Sequence, residues 1–298
     1  MNRILITGGS GLVGGEITRL LEQEGKEVAW LSRSPNENSQ KSFFWDIEKQ
    51  ELDADALTWC DGIIHLAGTG VAEKRWTAER KRQILQSRIL STLLLYDSLE
   101  KLASKPKAFI SASAVGYYGF DTGEVLQRED SLPGMDFLAS VVKKWEGETE
   151  KIATLGIRTA ILRIGIVLAK GGGALPEMLK PPVAAPLGHG RQYLSWIHVR
   201  DLARMFLHAL EHSHVQGVFN AVGPHPATNA ALTKAAAKAA GKPFVPIGVP
   251  GFALKLVLGE MAQMVLGGNK VSSAKIEATG FAYTYADLPS ALAAIYRE

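Results

Sequence analysis

The chain has 298 residues, 46% of them hydrophobic and 21% charged, with a formal net charge of +3. That is a globular composition, long enough for one large or two modest domains, and no Lys/Arg block argues for a nucleic-acid partner. One cysteine, Cys60, excludes an intramolecular disulfide and a cysteine-rich metal site. No apolar run of about eighteen residues marks a membrane span, so no membrane partner is expected. The N-terminus enters a strand directly, with no signal peptide, and a cytoplasmic protein is the default.

Ile4-Leu5-Ile6-Thr7 reads as a buried parallel strand. Gly8, Gly11 and Gly14 follow, then an amphipathic segment with Ile17, Leu20 and Leu21 on one face, and Gly25 ends it. Val28-Ala29-Trp30-Leu31 is a second strand. Strand, glycine turn, helix and strand in this order form the context of a dinucleotide site. Glycine lets backbone N–H groups approach a pyrophosphate closely, and the partial positive end of the helix starting near Leu12 points at the same phosphates. The second strand ends in Leu31-Ser32-Arg33-Ser34, with no carboxylate to accept from a ribose 2′-OH. Arg33 offers a planar fork to a 2′-phosphate and Ser32 adds a hydroxyl, so the reading favours NADP over NAD.

Residues 35–42 read as a polar loop, and Phe43-Phe44-Trp45 as a short strand with Asp46 at its end. Asp46 either touches the adenine edge or caps the next turn. Cys60 reads as a buried bystander before the apolar run Gly62-Ile63-Ile64-His65-Leu66-Ala67-Gly68. Small residues at the end of that run permit close approach of a cofactor, and His65 within it reads as a packed core histidine. The basic residues Lys74, Arg75, Arg80, Lys81 and Arg82 form a solvated helix face or a phosphate-side patch, and Lys180 is read likewise. A long helix spans Arg75 to Leu102, with Ile84, Leu85, Ile89, Leu93, Leu94 and Leu99 at helical spacing. Arg88 within it can reach the cofactor phosphates or a substrate acid.

Ala108-Phe109-Ile110-Ser111 is the next strand. Ser113, Tyr117 and Tyr118 follow it, where ligands bind in open α/β sheets, or else they form a turn with surface tyrosines. Asp136 to Ala153 is helical, Arg158 to Arg163 a strand, and the Gly/Pro-rich stretch from Gly171 to Gly190 a candidate lid. A helix then runs to His212, with a strand at Val218-Phe219-Asn220. Helical patterns at Ala230 to Ala240, Phe252 to Val265 and Ala286 to Tyr296 close the chain. The expected architecture is α/β: a Rossmann, doubly wound parallel sheet over residues 1–223, and a small, mostly helical lobe from 224–298 joined by 171–193.

Thr7-Gly8-Gly9-Ser10-Gly11-Leu12-Val13-Gly14, Leu66-Ala67-Gly68 and Ser195-Trp196-Ile197-His198-Val199-Arg200-Asp201 resemble three signatures of the extended short-chain dehydrogenase/reductases, the NAD(P)-dependent epimerase/dehydratase group. Ser113-Ala114-Val115-Gly116-Tyr117-Tyr118-Gly119, the Gly188-x-Gly190-x-Gln192 pattern and the Thr279-Gly280-Phe281 step resemble its YfcH-type "epimerase family" branch, and the likeness spans the whole chain. The resemblance implies NADP held by the glycine turn (Gly8, Gly9, Ser10, Gly11, Leu12, Val13, Gly14), Ser32, Arg33, Leu66, Ala67, Arg88 and the backbone near Val167. It also implies a Tyr-x-x-x-Lys pair, the tyrosine as acid/base beside its lysine, on the helix after Gly119. Here that helix has no tyrosine: Leu138 and Val142 stand in the two places. The first functional expectation is an NADP-dependent oxidoreductase acting on a small carbonyl or sugar-like substrate, with Ser113, Tyr117 or Tyr118 as the weak proton-donor candidates. The other is a non-catalytic NADP-binding or redox-sensing protein.

Overall fold

The computed structural model describes residues 1–35 and 40–297. Residues 36–39 of the polar loop expected at 35–42 lie outside the described residues. The first strands are β1 (Arg3–Thr7), β2 (Glu27–Ser32), β3 (Ser42–Asp46), β4 (Glu51–Leu52), β5 (Gly62–His65), β6 (Ala108–Ala114) and β7 (Leu126–Gln127). They are followed by β8 (Arg158–Ile164), β9 (Ile166–Leu168), β10 (Tyr193–Leu194), β11 (Trp196–His198), β12 (Gly217–Ala221), β13 (Ala227–Thr228) and β14 (Lys270–Val271). Eight of them form one sheet in the order β12-β8-β6-β5-β1-β2-β3-β4, parallel except at β3–β4. The chain winds outward from β1 through β2 and β3, then returns to the other side of β1 at β5. That reversal opens a crevice beyond the carboxyl ends of β1 and β5, the place where doubly wound sheets bind ligands.

Alternate residues of each strand face opposite layers. Ile4, Ile6 and Ile64 pack on Ile17 and Leu21 of helix α1 (Leu12–Gln23) together with Leu202 and Phe206. Leu5, Ile63 and Phe109 pack the other way, on Leu57 of α2 (Ala54–Trp59) and on Leu94, Leu95 and Leu99 of α3 (Ala78–Glu100). Burial on both faces explains the continuous apolar runs, and each fully buried Ile or Leu contributes about 1.5–3 kcal/mol. Helix α4 (Phe137–Thr154) lies beside α3.

A smaller core gathers Leu175 of α5 (Ala174–Met178), Leu194, Trp196, Leu232 and Ala236 of α7 (Asn229–Ala239), and Leu292 of the C-terminal helix (Leu288–Arg297). Helix α6 (Val199–Glu211) belongs to the main core, which it enters through Leu202 and Phe206. The apolar stretch expected as one helix over Phe252–Val265 is broken: α8 (Gly251–Leu258) stops at Gly259, φ +62°, and α9 (Ala262–Leu266) resumes after a 3-10 turn. Met261 then packs on Trp76, Ile84 and Leu138. Short α10 (Ala274–Glu277) and Phe281 return to the main core, where Ile276 is buried; the C-terminal helix is α11. Among the described residues no helix is long and apolar enough to cross a membrane.

Candidate functional site

The turn after β1 is built by steric exclusion. Gly8 has φ +70°, and a Cβ on Gly14 would stand 2.3 Å from the Gly8 carbonyl oxygen. The Gly11 amide donates to that carbonyl at 3.1 Å. A Cβ on Gly9 would meet the Trp30 indole at 2.4 Å, and Trp30 Nε1 is held by donating to Thr18 Oγ1 at 2.9 Å. Trp30 of β2 therefore roofs the turn, a role its place in an apolar strand did not signal. Helix α1 starts after Gly11 with no side-chain cap and no acid in its first turn. Its first N–H groups and its positive end are thus offered to a ligand.

A cavity of about 900 Å³ opens beside this turn. It brings together Gly8, Gly9, Ser10, Ser32, Arg33 and Ala67, with Asp46, Ser87 and Leu90 on its outer wall. Gly11, Leu12, Val13, Gly14, Leu66, Arg88 and Val167 lie outside that wall. Gly173 ties Leu12 to Val167: a Cβ there would stand 2.7 Å from the Val167 carbonyl oxygen and 3.6 Å from the Leu12 side chain. Arg33 is exposed at the lip and makes no ion pair with another described residue. Asp46 caps the turn, its Oδ1 accepting from the amides of Glu48 and Lys49 at 2.9 and 3.1 Å, and it also lines the cavity.

The floor between β1 and β5 is fixed by Thr7, whose Oγ1 accepts from the amides of Leu66 and Ala67 at 3.0 and 3.1 Å. With its lone pairs so used, the hydroxyl gives its proton to Nδ1 of His65, 2.8 Å away. His65 is fully buried, and burial, aided by the Arg88 charge, pushes its pKa down to about 3. It is a neutral core histidine, as its surroundings in the sequence suggested. Arg88 donates through Nη1 to the carbonyls of Thr69 and Ile84 at 3.0 and 2.9 Å and lies 5.1 Å over the Trp145 ring. Among the described residues no carboxylate pairs with it, and burial lowers its pKa to about 10.

The three proton-donor candidates sit in one network. Ser113 Oγ donates to Glu146 Oε1 at 2.5 Å, and Glu146 is bridged by Arg163 through Nε and Nη2, both at 2.8 Å. Arg163 also donates to the Tyr118 hydroxyl at 3.1 Å, and that hydroxyl donates to Asn220 Oδ1 at 2.6 Å. All five residues are buried, and burial pushes the Tyr118 phenol up to about 12. Ser113 and Tyr118 therefore have their protons committed inside the protein. Tyr117 differs: its ring centroid lies 3.4 Å from the Arg163 guanidinium, and no described residue bonds its hydroxyl. Glu146, Arg163 and Asn220 carried no sequence signal, since they converge from α4, β8 and β12. Leu138 and Val142 are buried and face Gly116, where a Cβ would lie 3.6 and 4.0 Å from them; Lys143 and Lys144 are exposed.

The profile of the NAD dependent epimerase/dehydratase family matches residues 4–222. The chain belongs to this family. A second profile, a domain of unknown function (DUF1731), matches residues 249–295. The epimerase family protein SDR39U1 of Mus musculus is 36% identical over 97% of this chain and 98% of its own length. The epimerase family protein YfhF of Bacillus subtilis (strain 168) is 35% identical over 99% and 98%. The crystal structure of human SDR39U1 (isoform 2) with NADPH superposes with a TM-score of 0.89 at 34% identity, covering 99% of each chain. The UDP-glucose 4-epimerase of Thermotoga maritima, at 19% identity and a TM-score of 0.80, shares the fold.

Proposed function

We propose that the chain binds NADP(H) in the 900 Å³ cleft and uses it in oxidoreduction of a small carbonyl or sugar-like substrate. The observation that carries this reading is Arg33, exposed on the cleft lip beside Ser32, with no carboxylate at the end of β2. Ser32 Oγ accepts from the Ser34 amide at 3.1 Å, which leaves its proton to donate. The nearby Asp46 is occupied by its turn and by Lys49 at 3.8 Å. The human relative solved with NADPH supports the same choice.

The glycine turn and the start of α1 take the pyrophosphate, and Arg33 with Ser32 takes the 2′-phosphate. NADPH supplies a hydride when bound. Tyr117, with its hydroxyl unclaimed by the described residues, is the candidate to protonate a developing alkoxide, a role supported by its unused proton. The apolar pair Leu138 and Val142 supports a second reading, cofactor binding without turnover, because it leaves no proton-transfer couple on α4. Charge-assisted hydrogen bonds to the phosphate, taken at their low end for an exposed arginine, give about 2 kcal/mol, or roughly thirtyfold tighter binding of NADPH than NADH. Isothermal titration of wild type and Arg33→Ala with both cofactors is the test. The substitution is expected to erase the preference and leave NADH binding unchanged; equal affinities in the wild type would refute the assignment.

A further inference from the structure

Between Glu211 and Glu260 the chain has no Asp or Glu, and none between Glu177 and Asp201. Apart from β12, which joins the main sheet, the two stretches zip together: Ala184 pairs with Phe244, Leu187 with Val249, and the Val245 amide donates to the Ala184 carbonyl at 3.0 Å. This ribbon leads through Pro250 into α8, of whose eight residues none is buried. Ile247, Phe252 and Leu256 are 78%, 77% and 79% exposed, and Val183, Val245 and Val257 are exposed beside them in the ribbon and the helix. Phe252 and Leu256 are one helical turn apart and share a face. Leu132 and Met135 are exposed as well, at 87% and 102%, but the ribbon and α8 gather six exposed apolar side chains between residues 183 and 257, and such a cluster calls for an occupant.

The charges around the surface narrow the choice. Lys255 is exposed on α8 with no carboxylate partner among the described residues. Lys180 stands at the start of the ribbon, paired only with the exposed Glu177 at 3.5 Å. Lys242 is anchored at the other edge by the carbonyls of Leu179 and Pro181. The acid nearest in sequence, Glu260, is paired with Lys81. A second copy of the chain would bring lysines against lysines. The apolar side chains stand out from α8, none of whose residues is buried, so they suit a deformable phase. Apolar side chains beside a lysine without a carboxylate partner, in a stretch of chain with no acid, are the pattern that holds a helix in the headgroup region of an anionic bilayer.

We propose that α8 and the 183–249 ribbon form a docking surface for an anionic lipid bilayer, with Phe252 and Leu256 entering the interface and Lys255, with the exposed Lys180, facing the headgroups. This needs no membrane-crossing helix and is independent of the cofactor reading. The test is co-sedimentation of the full chain with vesicles of phosphatidylcholine alone or mixed with phosphatidylglycerol. The wild type is expected to partition at least about tenfold better onto the mixed vesicles, and less so as salt is added. Lys255→Ala should cost about fivefold, and the Phe252→Ser/Leu256→Ser pair at least about tenfold. Unchanged melting of these variants separates lost docking from lost folding, since neither residue is buried. Partition indifferent to anionic lipid, or untouched by the substitutions, overturns the proposal. So does a dimer seen by analytical ultracentrifugation that the double variant abolishes, which would assign the surface to a second copy.

Discussion

A histidine inside an apolar strand needs both ring nitrogens satisfied without a charge. His65 meets this with Thr7 on Nδ1 and Thr92 Oγ1 3.2 Å from Nε2; Thr92 gives its own proton to the Arg88 carbonyl at 2.8 Å. The bond pattern assigns the Nε2–H tautomer. The folded pKa, about 3, lies below the ordinary 6.5, so the unfolded chain binds the extra proton first as pH falls. This contribution to stability is complete above pH 6.5 and is lost on acidification toward 3, at about 1.4 kcal/mol per pH unit. Urea unfolding of wild type and His65→Gln at pH 7 and pH 5 should show the wild type losing about 2 kcal/mol more than the variant. Parallel losses would mean the imidazole is not held neutral. The two tyrosines separate in the same way. Tyr118→Phe strips a partner from Asn220 and from Arg163 and is expected to cost about 1–3 kcal/mol in a thermal melt. Tyr117→Phe should leave the melt unchanged and depress NADPH oxidation by a carbonyl substrate. The reverse pattern would make Tyr118 the donor.

At the scale of elements, what could be read in the sequence was what is fixed locally. β1, β5, β6 and β8 announce themselves because strands buried on both faces are apolar throughout. The glycine turn was legible because Gly8 and Gly14 occupy positions no side chain fits. β4 and α2, of two and six residues, are too short to show a period and went unmarked. The 252–265 stretch reads as one helix because composition carries no phase; the positive φ of Gly259 is what divides it. Ser113 and Tyr118 read in the sequence as hydroxyls past a strand end, although β6 runs on to Ala114 and takes Ser113 into the strand, paired with Arg163. Their commitment to Glu146, Arg163 and Asn220 depends on residues 17 to 102 positions apart in sequence, which no local pattern encodes. The site was thus legible where one turn builds it and illegible where several elements meet.

At the scale of the molecule, the main sheet and the C-terminal chain are joined through α6. Asp201, fully buried in its first turn, accepts from the amides of Thr284 and Tyr285 at 2.9 and 2.8 Å and from Arg204 Nη1 at 2.9 Å. His198 accepts from the Arg200 amide at 3.1 Å to cap the same helix, and its ring lies 4.0 Å from that of Tyr285. On its other side α6 packs along α1, the helix that begins at the glycine turn. One carboxylate thus pins the return of the C-terminal chain to the element that supports the site. Asp201→Ala leaves two amides and a guanidinium without their acceptor, a loss of about 3–5 kcal/mol by analogy with broken buried pairs. Asp201→Asn keeps one acceptor oxygen and should cost less. The loss is expected to be local first: by hydrogen–deuterium exchange, residues 284–297 should open while the amides of β1, β5 and β6 keep their protection. NADPH affinity should then fall little, because the glycine turn and Arg33 remain in place. If the central strands lose protection together with the C-terminal helix, the anchor does not act locally and the lobe and sheet unfold as one cooperative unit.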